Sequence, residues 1–172
     1  MSAEDAASFR SAVRRHPGMY VGDVRDGSGL LHMVYEVLAN SLDQFLAGKS
    51  SSISITLGAE GTIAVEDDGE GISIDEVDGV PFSELVFTRP HFTPTRDGHK
   101  PHEHISLHGV GLCAINALCE HLELRTRRNG LEHVQSYRRG EPQAPLRRMG
   151  STPNKGTLIT FLPDPASSAI PG

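Results

Sequence analysis

The chain has 172 residues, of which 37% are hydrophobic and 22% charged, and its formal net charge is −6. That length suits about one folded domain with an adequate core, and the composition excludes a disordered or fibrous chain. The acidic balance argues against a general binder of nucleic acid or anionic membrane, so direct DNA binding is not expected of this chain. No apolar run reaches the ~18 residues of a membrane span, and the start MSAEDAASFR lacks the basic and apolar parts of a signal peptide, so a cytoplasmic location is expected.

Residues 1 to 15 read as a short amphipathic lead-in, which His16-Pro17-Gly18 breaks. Residues 19 to 29, with Gly22, Gly27 and Gly29, read as a loop. From Gly29 to Ala47 the pattern is helical: Leu30, Leu31, Val34, Val37, Leu38, Leu42, Phe45 and Leu46 cover a wide arc, with Ser28 as N-cap and Gly48 as the stop. Ile53, Ile55 and Leu57 alternate as in a half-buried strand, residues 58 to 61 turn, and Ile63 and Val65 begin a second strand that runs into Glu66-Asp67-Asp68-Gly69-Glu70-Gly71-Ile72. Residues 82 to 88 form a short helix. Residues 89 to 108 show no period and carry Pro90, Pro94, Gly98, Pro101 and five histidines; a stretch like this inside a compact domain is typically a functional loop. His108-Gly109-Val110-Gly111 then opens a helix over Leu112 to Leu122. Strands follow at 123–128, at 131–138 across an Asn129-Gly130 turn, and at 157–162, and residues 164 to 172 read as a frayed tail. The expected fold is α+β: a two-layer sandwich with helices on one face of a mixed, mostly antiparallel sheet.

The helix at 29–47 leaves a narrow polar stripe of His32, Glu36, Asn40 and Asp43. Glu36, Asn40 and Asp43 stand at i, i+4 and i+7 on one face, where a carboxylate, a carboxamide and a second carboxylate could serve as base and ligand of Mg²⁺, a cation that prefers oxygen donors and shares itself with phosphate. The same stripe could also be a solvated face. The Asp67–Ile72 loop could bring a carboxylate at a strand end to an exocyclic amine, with glycines allowing close approach, or it could be a plain acidic turn; its spacing is not that of a calcium loop. Gly109-Val110-Gly111 at a helix start offers free amides to an anion, or simply a tight helix entry. With Ala114 it also echoes a dinucleotide fingerprint, though only Ile105 to Leu107 could supply the preceding strand. His91, His99, His102, His104 and His108 match no standard metal spacing. Cys113 and Cys119 point different ways on a helix and read as buried thiols rather than a disulfide or zinc pair. Arg125, Arg127, Arg128, Arg138 and Arg139 read as charge guarding an edge strand rather than as phosphate contacts.

Taken in order, a helix with E-x-x-x-N, a strand with D-x-G-x-G, and a flexible loop with G-x-G before a helix resemble the GHKL ATP-binding domains of gyrase, chaperone, histidine kinase and mismatch-repair proteins. The similarity is closest to the N-terminal ATPase domain of gyrase B. Arg15-His16-Pro17-Gly18-Met19-Tyr20-Val21-Gly22-Asp23 is similar to its RPGMYIGD segment, and Gln143-Ala144-Pro145-Leu146 and Gly156-Thr157 are similar to its later strands. The resemblance spans residues 10 to 163.

The resemblance implies the Bergerat ATP-binding fold over residues 1–172, with 89–108 as the ATP lid and without the transducer and TOPRIM domains, so complete topoisomerase activity is not expected of this chain alone. It implies ATP and Mg²⁺ as cofactors. Glu36 then matches the general base, Asn40 the Mg²⁺ ligand and Asp43 a polar neighbour. Asp67 matches the acceptor from the adenine amino group, with Gly69, Gly71, Ile72 and Thr157 around the base. His108, Gly109, Val110 and Gly111 match the phosphate-binding end of the lid, and Arg128 an arginine at the pocket mouth.

Departures lie in the lid. Thr93-Pro94 and Ile105-Ser106 replace glycine pairs, and Thr95 and His102 replace lysines. Gln44 and Glu70 replace an acid and an arginine, so that local ion pair is expected to be absent. Three readings follow. The first is an ATP-binding domain that hydrolyses Mg-ATP slowly or only with a partner, such as a gyrase or other topoisomerase component. The second is a non-hydrolysing module that acts on gyrase or takes up aminocoumarin-type inhibitors. The third is a GHKL-type protein kinase.

Overall fold

The computed structural model describes residues 3–90 and 110–165. The helices are α1 (Ala3–Arg15), α2 (Gly18–Val21), α3 (Ser28–Leu46), α4 (Phe82–Thr88) and α5 (Gly111–Leu118). The strands are β1 (Ile53–Leu57), β2 (Ile63–Asp67), β3 (Glu76–Val77), β4 (Val80–Pro81), β5 (Cys119–Arg128), β6 (Leu131–Arg138), β7 (Glu141–Pro142), β8 (Arg147–Ser151) and β9 (Gly156–Pro163). The main sheet has the order β1-β2-β9-β5-β6-β7, β8 also pairs with β6, and each of these pairings is antiparallel.

The sheet has two unlike faces because side chains alternate along each strand. Ile63 and Val65 of β2, Ile159 and Phe161 of β9, Leu122 and Leu124 of β5 and Tyr137 of β6 form one core with Met33 and Val37 of α3, Phe87 of α4, and Ala114, Ile115 and Leu118 of α5. The opposite face carries an ion-pair lattice: Arg127 bonds Glu66 at 2.7 Å and Glu132 at 2.8 Å, and Arg125 bonds Glu132 at 2.8 Å. The fold is therefore α+β, with helices packed on one face of an antiparallel sheet. Among the described residues no helix is long and apolar enough to cross a membrane.

Local chemistry accounts for the element ends. α1 has Glu4 and Asp5 in its first turn and Arg14 and Arg15 in its last, which suits the helix dipole, and it stops before Pro17. α3 ends where the Gly48 amide donates to the Phe45 carbonyl at 2.9 Å. Asn129 (φ 53°) and Gly130 (φ 76°) make the two-residue turn between β5 and β6, a conformation these two residue types tolerate.

Several expectations are corrected. The 19–29 segment begins with the short α2 instead of being loop throughout. Ser28 is the first helical residue and Gly27 (φ 83°) takes the cap position; the Ser28 hydroxyl instead donates to Asp26 at 2.6 Å. The helix expected to reach Leu122 stops at Leu118, and β5 starts at Cys119, because Leu118 and Leu122 fit a helical period while Leu122 and Leu124 fit an alternating one. Residues 143–146 lie between β7 and β8 and are not strand, and β3, β4, β7 and β8 were not anticipated. β5 lies inside the sheet, so Arg125 and Arg127 sit in the ion-pair lattice rather than guarding an edge. Ile55 is 46% and Leu57 77% exposed, because β1 is the edge strand and packs on the sheet from one side only. Cys113 and Cys119 are buried and free; burial pushes the Cys113 thiol up to about 12 and raises that of Cys119 as well.

Candidate functional site

α3 is the wall to which the other parts attach. Glu36 is buried and lies against the N-terminus of α5: a Cβ built on Gly111 would overlap the Glu36 carboxylate, with Cδ at 3.1 Å. Only glycine admits this approach. Five residues further along the same helix, Ser41 donates from Oγ to Asp67 Oδ2 at 2.7 Å, and both residues are 2% exposed. Glu36 and Ser41 are thus about 7.5 Å apart along the helix axis, with the half-buried Asn40 between them. Asp43, also half-buried, continues the stripe.

Asp67 closes β2. Its Oδ1 accepts the Gly69 amide at 2.9 Å, which folds the Asp67–Ile72 loop back on the carboxylate. Register sets Thr157 of β9 beside Asp67, and Thr126 of β5 beside Thr157. The Thr126 hydroxyl donates to the Ile72 carbonyl at 2.9 Å, and Arg128 donates to the Gly71 carbonyl at 3.1 Å. An ionised carboxylate has about four acceptor positions, of which Ser41 and Gly69 use two; Asp67 can therefore accept from a further donor such as an exocyclic amine. Val110 is half-buried and Gly111 buried at the entry of α5.

His32, one turn before Glu36, belongs to the polar stripe and lies beside the Glu36 carboxylate. Its Nε2 lies 3.3 Å from Glu36 Oε1 and makes no hydrogen bond of regular geometry.

Gln44 carries no charge and meets Glu70 only through the backbone. Gln44 Oε1 accepts the Glu70 amide at 3.3 Å, while the Glu70 carboxylate pairs with Lys49 at 3.0 Å and lies 3.8 Å from Arg128. The Lys49 bond holds the Glu70 carboxyl below the usual carboxylate range.

The structure thus brings together Glu36 with Gly111, Asp67 with Ser41 and Thr157, and Arg128 with Gly71. Arg138 and Arg139 lie at the far end of β6 and take no part. His108 and Gly109, the positions Thr93, Pro94, Thr95, Pro101, Ile105 and Ser106 of the expected lid, and His91, His99, His102 and His104 lie outside the described residues. Ser41 and Thr126 were missed by sequence reading. Their only signal is a hydroxyl beside a site residue, and it takes the register of β2, β9 and β5 to give it meaning.

Among the described residues no group of three or more His, Cys, Asp or Glu is placed to hold a metal ion. The oxygen donors of the stripe are the Asn40 carboxamide and the Glu36 and Asp43 carboxylates.

Comparison with known proteins agrees with this fold. Residues 25–167 match the family model described as histidine kinase-, DNA gyrase B-, and HSP90-like ATPase. The chain is 44% identical over 155 residues to the B subunit of DNA gyrase from Rickettsia typhi, 41% over 165 residues to that of Caulobacter vibrioides, and 43% over 159 residues to that of Thermotoga maritima. These alignments cover 88%, 88% and 89% of this chain but 19%, 20% and 24% of the relatives, so the chain spans about a fifth of the length of the curated relatives it matches. The chain belongs to the histidine kinase-, DNA gyrase B- and HSP90-like ATPase family, as a gyrase-B-like ATP-binding domain.

Proposed function

We propose that this chain binds Mg-ATP against α3 and hydrolyses it slowly, or only when a protein partner completes the site. The observation that supports this most is that one helix carries Glu36 against Gly111 and, about 7.5 Å further along its axis, Ser41 against Asp67. A carboxylate for the attacking water and a carboxylate for the adenine are thus both set by one rigid element.

In this reading Asp67 accepts a hydrogen bond from the adenine amino group, held by Ser41 and by the Gly69 amide. Gly71, Ile72 and Thr157 surround the base, and Arg128, tied to the Gly71 carbonyl, stands at the mouth. Asn40 would hold Mg²⁺, with Asp43 alongside, and when bound the ion would supply positive charge against the phosphates. Val110 and Gly111, with His108 and Gly109 before them, receive phosphate at the start of α5. Glu36 takes the proton of the attacking water, and His32 positions its carboxylate. The matched relatives are B subunits of DNA gyrase, and another topoisomerase component is the partner proposed.

The test is calorimetric titration of the chain with a non-hydrolysable ATP analogue at millimolar Mg²⁺. Saturable one-to-one binding that disappears without Mg²⁺ or in Asp67→Ala is the expected result. Absence of binding by the wild-type chain would overturn the proposal.

A further inference from the structure

α1 and the turn between β6 and β7 frame a cavity of about 570 Å³ that the nucleotide site does not use. It lies at the far end of the sheet. Leu131 pairs with Arg128, and Arg138 stands seven strand residues beyond Leu131, about 23 Å away. Arg10, Arg14, Arg138 and Arg139 line the cavity together with the Ser11 hydroxyl and the Gln143 carboxamide, so most of the lining can donate hydrogen bonds. Among the described residues Glu141 is its one acidic member. The chain has 16 basic residues and a net charge of −6, so four arginines around one hollow are a local excess of cations that the composition does not predict.

Half of this set is built into the fold. Arg14 Nη2 and Arg139 Nε both lie on Asp164 Oδ2, at 2.7 and 3.0 Å, and Arg14 Nη1 donates to the Ala117 carbonyl at 2.8 Å. The Asp164 side chain is 3% exposed, so two guanidiniums share one buried carboxylate. The turn aims Arg139. Arg139 (φ 51°) and Gly140 (φ 84°) are the central residues between the paired Arg138 and Glu141, and Asn, Asp or Gly is usual where Arg139 stands. A Cβ on Gly140 would come within 3.1 Å of Ala117 Cα and 2.5 Å of Arg10 Cδ, so glycine lets the turn close on α1. The other two arginines have exposed partners: Arg10 pairs with Glu141 at 2.7 Å and Arg138 lies 3.6 Å from Glu120, and these carboxylates are 62% and 39% exposed. Such surface pairs are worth little and yield to a more highly charged anion. A guanidinium has five N–H donors in a planar fork, so an arginine held along one edge presents another in the geometry that grips phosphate oxygens two at a time. We propose that this cavity binds a small molecule through a diphosphate group. Four forks exceed what the three terminal oxygens of one phosphate can use, and the volume is that of a small-ligand site. The site stands apart from α3 and does not rest on the ATP reading.

The test is calorimetric titration of the 172-residue chain with inorganic pyrophosphate in EDTA, without Mg²⁺, at a constant ionic strength of about 0.15 M. Saturable one-to-one binding with Kd below ~1 mM is expected, and inorganic phosphate is expected to bind at least ~10-fold more weakly because it reaches fewer arginines. Arg10→Gln and Arg138→Gln are each expected to weaken pyrophosphate at least ~10-fold, the equivalent of losing one charge-assisted contact. Both leave the buried Arg14–Asp164–Arg139 contact in place, and the Arg138 side chain is 60% exposed, so its replacement leaves the fold intact. Arg25→Gln, which removes an exposed arginine outside the cavity, is expected to bind as the wild type does. ADP in the same buffer separates the sources of the group: ADP binding that Arg138→Gln weakens assigns the cavity to a diphosphate ester, and binding of pyrophosphate alone assigns it to the free ion. Absence of saturable pyrophosphate binding by the wild-type chain, affinity unchanged in both Arg10→Gln and Arg138→Gln, or an equal loss in Arg25→Gln would overturn the proposal. Inorganic phosphate that binds as tightly as pyrophosphate would overturn the diphosphate assignment.

Discussion

Ser41→Ala is the substitution whose effect follows most directly from the geometry. The Ser41 hydroxyl donates to Asp67 Oδ2 at 2.7 Å, and both residues are 2% exposed. The other described bond to this carboxylate is the Gly69 amide on Oδ1 at 2.9 Å. Alanine removes one charge-assisted bond and leaves a buried carboxylate oxygen without that donor, a loss of about 1.5–3 kcal/mol. For a chain of this size 1 kcal/mol corresponds to roughly 2–4 °C, so Tm should fall by roughly 3–12 °C. A double-mutant cycle with Asp67→Ala separates this bond from the general cost of losing a hydroxyl, and a coupling of at least ~1 kcal/mol is expected for groups in direct contact. Urea unfolding of the four proteins provides the measurement. A coupling below ~0.3 kcal/mol, together with an unchanged Tm, would refute the claim that α3 holds the Asp67 carboxylate.

Gly111→Ala places a methyl group where the Glu36 carboxylate lies. The flexible end of Glu36 can move aside, so Tm should change little while turnover falls at least ~10-fold, since a general base contributes about 10²–10⁴; steady-state kinetics beside a thermal melt would show turnover unchanged if Gly111 does not seat Glu36. Cys113 is pushed up to about 12 by burial, and Cys119 and the Tyr137 phenol are also raised. The folded chain keeps protons that the unfolded chain gives up above about pH 9, so stability is full below that pH and falls by about 1 kcal/mol per pH unit per thiol as pH rises towards 12. Urea unfolding at pH 8, 9 and 10 should show this slope, and Cys113→Ala should reduce it; an unchanged slope would place the titration elsewhere. The buried Gln135 donates to Glu84 at 2.5 Å and to the Ala144 carbonyl at 3.2 Å, and accepts from the Tyr137 hydroxyl at 2.9 Å. Gln135→Leu should therefore cost about 2–4 kcal/mol by chemical denaturation, and a loss under ~1 kcal/mol would mean these bonds have solvent substitutes.

Elements with a strong period were legible in the sequence. The apolar residues of α3 repeat at helical spacing, Ile53, Ile55 and Leu57 and then Ile63 and Val65 alternate, and Asn129-Gly130 names its own turn. Ambiguity arose where two periods share residues, as at Leu118, Leu122 and Leu124. It also arose where a strand carries little apolar signal, as in β8 with Arg147, Arg148 and Met149. The site shows the same division. Glu36, Asn40 and Asp43 share a helix face by arithmetic, and Asp67 stands out as a carboxylate before two glycines. The contacts that join them were not legible. Ser41 meets Asp67 across 26 positions, and Glu36 meets Gly111 across 75, and no local pattern encodes either approach. Nor could the wide apolar arc of α3 reveal that one of its sides faces outward, because hydrophobicity alone does not say which part of an arc the sheet will cover.

The most direct test of the central claim compares Glu36→Gln with Asp67→Asn for analogue binding and for ATP turnover in parallel. If one helix presents a base to water and the adjoining strand end presents an acceptor to adenine, Glu36→Gln keeps wild-type affinity and loses turnover. Asp67→Asn then weakens binding by about 10- to 100-fold, the equivalent of about 1–3 kcal/mol for a hydrogen bond to a charged group. Equal losses of affinity in both variants, or turnover that survives Glu36→Gln, would contradict it.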